Sequence, residues 1–392
     1  MDSSKRSLSS LPPELIEEIL YRTPAESLVR AKPTCKQWYA LITDTRFIYE
    51  HVRRSPQRFI RTEETVQIMD PVTRTRSHSP LPKELQRCSY EIIMMVHCDG
   101  LMLCMSGNSQ YRKFNLAIWN PVLRKLVWIK PSLRFTQSDY YGIGYDDSKK
   151  KCRYDYKILR FTDRRYDRYG DYCDEDREPE VEIYECKTRS WRTLDAKVDW
   201  DVDIACKGVS VMGNMYWYAQ KYWVGEEEHK NYILGFDFSV ETFRDVCFSP
   251  PSREDNYLAC FDGDRLSLLQ QDQETTSPIE VWVSSKLAGD GDVSFSKYFS
   301  VSRPDLPALL FHTDMAHPVY CIGKHKRVMA WCEVDVYEGE DDKIPPTCII
   351  LYEIDEGGVR RQLETERHYG SGYIGTFLCG YVYVPSLVPL PV

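Results

Sequence analysis

The sequence lacks the features typical of membrane, metal-binding and hydrolytic proteins. No hydrophobic run reaches the roughly 20 residues of a membrane-spanning helix, so we predict no membrane partner. The chain has no GxSxG, HExxH or P-loop motif, and its 14 cysteines and 8 histidines show neither CxxC nor HxxxH spacing. We therefore expect no catalytic residue, no metal site and no cofactor.

We also expect no secretion, because no apolar core follows Lys5 and Arg6. Scattered cysteines within apolar segments are typical of a reducing compartment, so we expect the protein in the cytoplasm, the nucleus or both.

Negative charge is in excess, and it is unevenly distributed. Residues 1–56 hold 9 Lys or Arg and 7 Asp or Glu, which leaves the remainder with a net charge of −10 in a chain whose total is −8. An acidic body argues against nucleic acid as a partner, because phosphate binding needs a basic face.

Three helical signals occupy residues 8–51. The first begins at Pro12-Pro13, where proline is tolerated in an opening turn, and should end near Arg22. The second has Thr23 as N-cap, Pro24 at the first helical position and Glu26 completing a capping box.

Pro33 predicts a break after the second helix, because it lacks a backbone donor, and a third helix follows. A module of about 45 residues buries little surface, so binding to a partner explains its apolar pattern better than a free bundle does.

The segment contains three runs of residues with a recognisable order and spacing: Leu11, Pro12, Leu15, Ile19 and Leu20; then Pro24, Ser27, Leu28 and Arg30; then Cys35, Lys36, Trp38, Leu41 and Ile42. In these runs it resembles the F-box, a module that docks on the Skp-type adaptor of a cullin-RING ubiquitin ligase. The resemblance implies adaptor contacts, with their supporting core, at Leu11, Pro12, Leu15, Ile19, Leu20, Leu28, Val29, Cys35, Lys36, Trp38 and Leu41. We expect Leu11, Pro12 and Leu20 to be interface residues rather than core residues.

The rest of the chain repeats two kinds of β segment. One pairs two strands around a polar turn and has an aromatic residue at its fourth position; the other is a tight hairpin around glycine. The aromatic positions are Trp119, Tyr184, Phe236, Trp282 and Tyr352. Units of four strands near a 50-residue pitch predict a β-propeller of five to six irregular blades, with a pair of β-sandwiches as the alternative. A sixth blade forms if residues 59–78 pair with the strand at 377–387.

The body contains the motifs Trp119-Asn120-Pro121 and Gly144-Tyr145-Asp146, and neither kelch nor WD repeat signatures are present. In these motifs it resembles the plant F-box-associated interaction domain. We predict an α+β multidomain chain with a disordered N-terminus at 1–7, a helical F-box module at 8–52, a linker at 53–58 and a β-propeller-like recognition domain at 59–392.

Paired carboxylates are candidates for acid/base chemistry at Asp146-Asp147, at Asp262 with Asp264, and at Glu340–Asp342. Each pair falls in a predicted turn or loop, where Asp suits the backbone geometry, so we interpret them as turn residues. His97 beside Asp99-Gly100 is likewise interpreted as part of a hairpin tip.

Exposed aromatic residues are candidates for binding a target protein, because tyrosine and tryptophan are frequent at interfaces. The candidates are Tyr166, Tyr169, Tyr172, Tyr216, Tyr218 and Trp223. For the last three, packing between blades is the competing interpretation.

The sequence therefore predicts a non-catalytic substrate receptor of an SCF-type ubiquitin ligase. Its partners would be a Skp-type adaptor, through it a cullin and a RING subunit, and an unknown target protein. Two alternatives stay open, namely a carbohydrate-binding or glycan-processing propeller and an F-box scaffold that works outside ubiquitination.

Overall fold

The computed structural model describes most of the chain. The described residues are 11–62, 65–86, 91–108, 113–135, 139–146, 155–162, 180–196, 200–202, 208–221, 231–246, 255–272, 277–287, 293–309, 318–335, 346–368 and 379–391. No helix among them is long and apolar enough to cross a membrane.

Four helices open the described part of the chain, one more than the sequence predicted. They are α1 (Pro13–Tyr21), α2 (Ala25–Ala31), α3 (Lys36–Thr43) and α4 (Thr45–Arg54). Helix α4 has its own N-cap, because the Asp44 carboxylate accepts a hydrogen bond from the Phe47 N–H at 3.0 Å. Its apolar side chains Phe47, Ile48 and Val52 are buried, so this segment is a separate helix and the prediction of three is corrected.

The capping box predicted at the start of α2 is wrong. Pro24, not Thr23, is the residue that precedes the helix, and no side chain caps it. The Thr23 hydroxyl instead donates to the Ile19 carbonyl at 2.8 Å, at the end of α1. The Glu26 carboxylate pairs with Arg58 at 2.8 Å, because a cation attracts it more strongly than a neutral backbone donor.

The break predicted at Pro33 is confirmed. Helix α2 ends at Ala31 and α3 begins at Lys36. The Cys35 thiol caps α3 by accepting a hydrogen bond from the Trp38 N–H at 3.4 Å.

The segment between the helices and the first strand is shorter than the predicted linker at 53–58. Arg53 and Arg54 complete α4, and Arg58 begins a strand, so only residues 55–57 connect the two. A three-residue connection holds the helices close to the β body.

The β strands form six blades of a propeller, as the sequence predicted. Blade 1 contains β1 (Arg58–Thr62), β2 (Thr65–Met69), β3 (Arg76–Pro80) and β25 (Cys379–Tyr383); blade 2 contains β4 (Glu91–Cys98), β5 (Leu101–Asn108), β6 (Lys113–Asn120) and β7 (Lys125–Ile129); blade 3 contains β8 (Tyr140–Tyr145), β9 (Tyr156–Phe161), β10 (Val181–Glu185) and β11 (Ser190–Leu194). Blade 4 contains β12 (Trp200–Val202), β13 (Val209–Val211), β14 (Asn214–Lys221), β15 (Asn231–Asp237) and β16 (Thr242–Val246); blade 5 contains β17 (Asp255–Phe261), β18 (Arg265–Gln271), β19 (Ile279–Ser284) and β20 (Phe295–Val301); blade 6 contains β21 (Val319–Gly323), β22 (Arg327–Asp335), β23 (Thr347–Asp355) and β24 (Gly358–His368). A short helix, α5 (Lys83–Gln86), follows blade 1.

The ring closes between the two ends of the β body. Strand β25 pairs antiparallel with β1, from Arg58 opposite Tyr383 to Thr62 opposite Cys379. This pairing confirms the predicted closure, which removes the unpaired edge of both strands. It also excludes the predicted alternative of paired sandwiches.

Most strands are buried on both faces, because each blade packs against a neighbour on either side. Strand β23 shows this most clearly, with Thr347 to Ile354 all buried. Simple alternation of buried and exposed residues is therefore lost in the inner strands. Eight cysteines of the described ranges are free, namely Cys35, Cys98, Cys104, Cys186, Cys260, Cys321, Cys332 and Cys348, and six of these eight are buried.

Candidate functional site

Two apolar side chains of α1 are exposed to water. Leu15 is 52% exposed and Ile19 is 47% exposed, and four residues separate them, so they lie on one face of the helix. Ile16 and Leu20 lie on the adjacent face, about 100° around the helix, and are buried. Exposed apolar side chains side by side on a short helix are typical of a protein-binding surface.

The residues predicted to contact the adaptor divide into three groups by burial. Pro12, Leu15, Ile19, Cys35 and Lys36 are exposed; Leu11, Val29, Trp38 and Leu41 are half-buried; Leu20 and Leu28 are buried. The prediction that Leu20 is an interface residue is wrong, because only 2% of it is exposed and it packs in the main core. Leu28, with none of its surface exposed, supports the module from inside.

Ion pairs and packing join the helices to blade 1. Arg58 of β1 lies 2.8 Å from the Glu26 carboxylate of α2 and 3.9 Å from the Asp70 carboxylate.

The buried His51 side chain of α4 donates to the Thr23 carbonyl at 2.8 Å in its neutral Nε2–H form. Burial lowers the pKa of His51, which favours this neutral form.

A cleft of about 1610 Å³ separates α1 and α4 from one face of the propeller. Its walls include Glu14 and Tyr49 on the helices, and Asp262 and Asp264 on the β17–β18 hairpin. The helices therefore lie over the face that carries the hairpins between the first and second strands of the blades.

The Asp262 and Asp264 pair is occupied by structural contacts. Asp262 has a φ of 52° at the hairpin and lies 2.6 Å from Arg265, and Asp264 lies 2.8 Å from Lys286. Asp146 is buried after β8, whereas Asp147 and the segment Glu340–Asp342 lie outside the described residues. Within the described ranges, no group of three or more His, Cys, Asp or Glu side chains could hold a metal ion.

His97 is a structural residue of the ring closure. Its Nε2 accepts hydrogen bonds from the Gly100 N–H at 2.8 Å and from the Val384 N–H at 3.3 Å. Gly100, with a φ of 82°, would bring an added Cβ within 2.2 Å of the Ser386 hydroxyl, so the hairpin and the tail after β25 approach closely. The predicted hairpin role is consistent with these contacts.

We expect His97 to make the protein less stable in acid. Burial lowers the pKa of His97 from 6.5 to about 4, so between these values the unfolded chain binds the extra proton and stability falls as the pH falls. Stability should drop by about 2 kcal/mol from this residue between about pH 7 and pH 5. Urea unfolding at both pH values measures the drop.

The His97→Gln variant is the control, because Gln keeps a hydrogen-bond acceptor but does not titrate. Its stability should change less over the same pH range. An identical pH dependence in both proteins would contradict this role of His97.

The target-binding candidates on β14 are core residues instead. Tyr216 is 1% exposed and Tyr218 is 3% exposed, because the neighbouring blades cover both faces of β14. The Tyr216 hydroxyl accepts from Arg244 at 2.6 Å, and the Tyr218 hydroxyl accepts from Asn256 at 2.7 Å. Their prediction as target contacts is therefore corrected. Tyr166, Tyr169, Tyr172 and Trp223 lie outside the described residues.

The Trp119-Asn120-Pro121 motif holds the tail after β25. Trp119 is buried, and the side-chain oxygen Oδ1 of Asn120 accepts a hydrogen bond from the Leu123 N–H at 3.0 Å. The Asn120 amide donates to the carbonyls of Ser386, at 3.3 Å, and Val388, at 2.8 Å. A side chain of blade 2 thus binds the backbone that follows the closing strand of blade 1.

The Gly144-Tyr145-Asp146 motif marks a close approach of blades 3 and 4. The Tyr145 N–H donates to the Gly213 carbonyl at 3.0 Å, and a Cβ on Gly144 would lie 2.1 Å from the same oxygen. Only glycine fits at this position without moving a backbone.

Four blades share one form of turn between their third and fourth strands, which the sequence interpretation missed. We call it the outer turn. The turn covers residues 70–74, 120–124, 185–189 and 237–241 in blades 1 to 4. The fifth residue of each has a positive φ, at Arg74 (60°), Arg124 (53°), Arg189 (56°) and Glu241 (57°). The signal was present as DPVTR, NPVLR, ECKTR and DFSVE, in which an acidic residue or Asn precedes Arg or Glu by four positions.

Four helices with an exposed apolar pair, packed against a closed six-bladed propeller, make this a two-part protein. Comparison with known proteins agrees with this division. The F-box domain model matches residues 8–49, and the F-box associated beta propeller domain model matches residues 51–390. The second match begins within α4 and takes up most of the chain.

Two Arabidopsis thaliana proteins are similar along their whole length. The chain is 51% identical to "Putative F-box only protein 15", covering 100% of both chains, and 42% identical to "F-box/WD-40 repeat-containing protein 1", covering 100% of this chain and 91% of that protein. The chain belongs to the family of F-box proteins that carry an F-box associated β-propeller domain.

Solved structures are more distant. TolB from Acinetobacter baumannii aligns with a TM-score of 0.42 at 11% identity, covering 86% of this chain and 70% of that one. A similarity this low supports no statement about function.

Proposed function

We propose that this protein is the substrate-recognition subunit of an SCF-type cullin-RING ubiquitin ligase. The observation that carries the proposal is the exposed pair Leu15 and Ile19 on the first helix of an F-box module. The helices would bind a Skp-type adaptor, and through it a cullin and a RING subunit. The complex would work in the cytoplasm, the nucleus or both.

The propeller would bind the target protein. The helices and the cleft occupy the face that carries the β4–β5 and β17–β18 hairpins. Successive antiparallel strands in a blade end at alternate faces of the propeller. The second and third strands of each blade therefore meet at the face opposite the helices. The helices leave that face open to a target. Strands β9 and β10 meet there, with Phe161 opposite Val181.

Catalysis would consist of positioning. Other subunits would transfer ubiquitin, while this chain holds the target near them and raises its effective concentration. The packing of the helices against blade 1 supports this role, because a short connection and a shared core limit their relative movement.

The test is binding of the full-length chain to a recombinant Skp-type adaptor. Changing Ile19 to Asp should weaken binding about thirtyfold, or about 2 kcal/mol, because a charge would replace an apolar contact at the centre of the interface. Isothermal titration calorimetry measures the affinity, and thermal unfolding checks that the fold is intact.

The matched control is Val240→Asp. Val240 is 66% exposed on the outer turn of blade 4, where no predicted adaptor contact lies, so its change adds the same charge outside the predicted adaptor surface and should leave the affinity unchanged. Equal affinities of the Ile19→Asp variant and the unaltered chain would contradict the proposal. Point changes are preferable to deleting residues 1–55, because the helices share the main core with the propeller.

A further inference from the structure

One turn of blade 2 presents an apolar side chain to water. Residues 130–135, which we call the Leu133 turn, follow β7. Among the large hydrophobic side chains that the structure describes, Leu133 is the most exposed, at 94%. Strand β7 is the fourth strand of its blade, so it ends at the face opposite the helices. The Leu133 turn therefore lies on the face that the helices leave open.

Hydrogen bonds hold the backbone on both sides of the exposed leucine. The Trp191 indole N–H of β11 donates to the Lys130 carbonyl at 2.8 Å. The Ser132 hydroxyl is buried and accepts from the Arg134 N–H at 3.1 Å. The first of these contacts comes from blade 3, so the turn is attached to the neighbouring blade as well as to its own.

Two further contacts fix the second half of the turn. The Phe135 ring packs against that of Phe114 on β6, with the ring centroids 5.2 Å apart. The Arg134 carbonyl accepts a hydrogen bond from Arg160, whose side chain is fully buried in blade 3. Leu133 is therefore exposed by a backbone that is held in place, and not by a loose loop.

An exposed leucine alone is ordinary, because isolated apolar side chains are common on protein surfaces. The Leu133 turn differs because its backbone is already fixed by contacts to blades 2 and 3. A preorganised side chain loses little conformational entropy on binding, so more of the free energy of its burial contributes to affinity. These are the properties of an anchor residue in a protein interface.

Positive charge lies on both sides of Leu133 in the turn. Lys130 is exposed and makes no ion pair in the part of the chain that the structure describes. The Arg134 side chain is 47% exposed and lies 3.6 Å from the Glu180 carboxylate, and solvent screens such a pair. A ligand that covers Leu133 would meet these cations at its edge, which favours carboxylates there.

We propose that the Leu133 turn is a target-binding site, and that it binds a protein segment in which an apolar side chain stands near Asp or Glu. The apolar side chain would cover Leu133, and the carboxylate would pair with Lys130. This inference rests on the proposed function and deepens it, because it names the surface and the chemistry of the target. A chain of net charge −8 favours such a segment over nucleic acid, whose binding needs a broad basic face.

The probe is a phage-displayed library of random short peptides, selected against the full-length chain. Enriched peptides should carry an aliphatic or aromatic residue with Asp or Glu a few positions away. Fluorescence polarisation of the labelled peptides measures their affinity. Leu133→Asp should weaken it at least about tenfold, because the burial of a leucine side chain is lost and an acidic peptide is repelled.

Val240→Asp is the matched control for Leu133→Asp. Val240 is 66% exposed on the outer turn of blade 4, where the third and fourth strands meet, so it lies at the other face of the propeller. The same change there should leave the peptide affinity within about twofold of the unaltered value, as is usual for a charge outside an interface. Thermal unfolding checks that both variants keep the fold.

Lys130→Glu tests the acidic part of the proposed ligand. The affinity of the enriched peptides should fall about threefold at low ionic strength, because a repulsion replaces an exposed ion pair. The difference should shrink at high salt, which screens exposed charges. An affinity that does not change in this variant would overturn the acidic residue as part of the ligand.

The outcomes separate this inference from the proposed function. If the enriched peptides bind the Leu133→Asp variant as tightly as the unaltered chain, or if no peptide is enriched, the Leu133 turn as a target site is overturned. The receptor proposal then stands on the adaptor affinity, which is measured separately with Ile19→Asp. Peptide binding at Leu133 by a chain that does not bind the adaptor would overturn the receptor proposal and keep the turn as a binding site.

Discussion

Replacing Arg160 with Met should destabilise the protein by about 3 to 5 kcal/mol, because two buried carboxylates would lose their counter-charge. Arg160 has no exposed surface, and its guanidinium lies 2.6 Å from the Asp139 carboxylate and 2.7 Å from the Glu182 carboxylate. It also donates to the Arg134 carbonyl. These contacts join three segments of blade 3 around one side chain.

Urea unfolding of the full-length protein measures this loss. The triple variant Arg160→Met, Asp139→Asn and Glu182→Gln should recover part of the stability, because it removes the uncompensated charges as well. If the triple variant is no more stable than the single one, the loss does not come from unpaired charge.

Arg192→Met is the matched control in the same blade. Arg192 pairs with Glu185 at 3.0 Å and with Glu241 at 2.5 Å, but 42% of its side chain is exposed. Water and salt screen such a pair, so its loss should cost less than about 1 kcal/mol. A cost equal to that of Arg160→Met would contradict burial as the cause.

Replacing Tyr383 with Ala should cost about 3 to 5 kcal/mol, as expected for a large aromatic side chain removed from a core. Tyr383 is the last residue of β25, none of it is exposed, and its ring lies 5.7 Å from that of His97. Its loss would leave a cavity where the closing strand meets blade 2. Thermal unfolding should show a large fall in melting temperature.

Tyr383→Phe separates ring packing from hydrogen bonding. The Tyr383 hydroxyl is buried and has no hydrogen-bond partner among the described residues. Its removal should be neutral or slightly stabilising, because an unpaired buried hydroxyl is unfavourable. A loss as large as that of Tyr383→Ala would show that the hydroxyl, not the ring, stabilises the closure.

The sequence predicted the propeller because its evidence was local and repeated. Hairpins around Gly100, Gly213 and Gly263 have positive φ values of 78–82° in the structure, as tight turns require. The closing pair of β1 and β25 followed from a topological argument, since a ring without it would leave open edges. The α4 helix was missed because its cap, Asp44, directly follows α3.

Burial was harder to predict than secondary structure. Alternation suggested that some side chains of β14 face solvent, whereas Tyr216 and Tyr218 are buried between blades. Leu15 and Leu20 are the same residue type in the same helix, but only Leu15 is exposed. The packing of α1 against its neighbours distinguishes them. No local pattern showed that Arg160 would be buried between two carboxylates.

The sequence by itself determined the two-part organisation, the turn positions and the F-box resemblance, because these depend on neighbouring residues and on repeated spacing. Only the tertiary structure decided which apolar residues stay exposed and which charged residues pair. Those properties depend on segments far apart in the chain, such as Glu26 and Arg58, which pair only when the helices pack against the closed propeller.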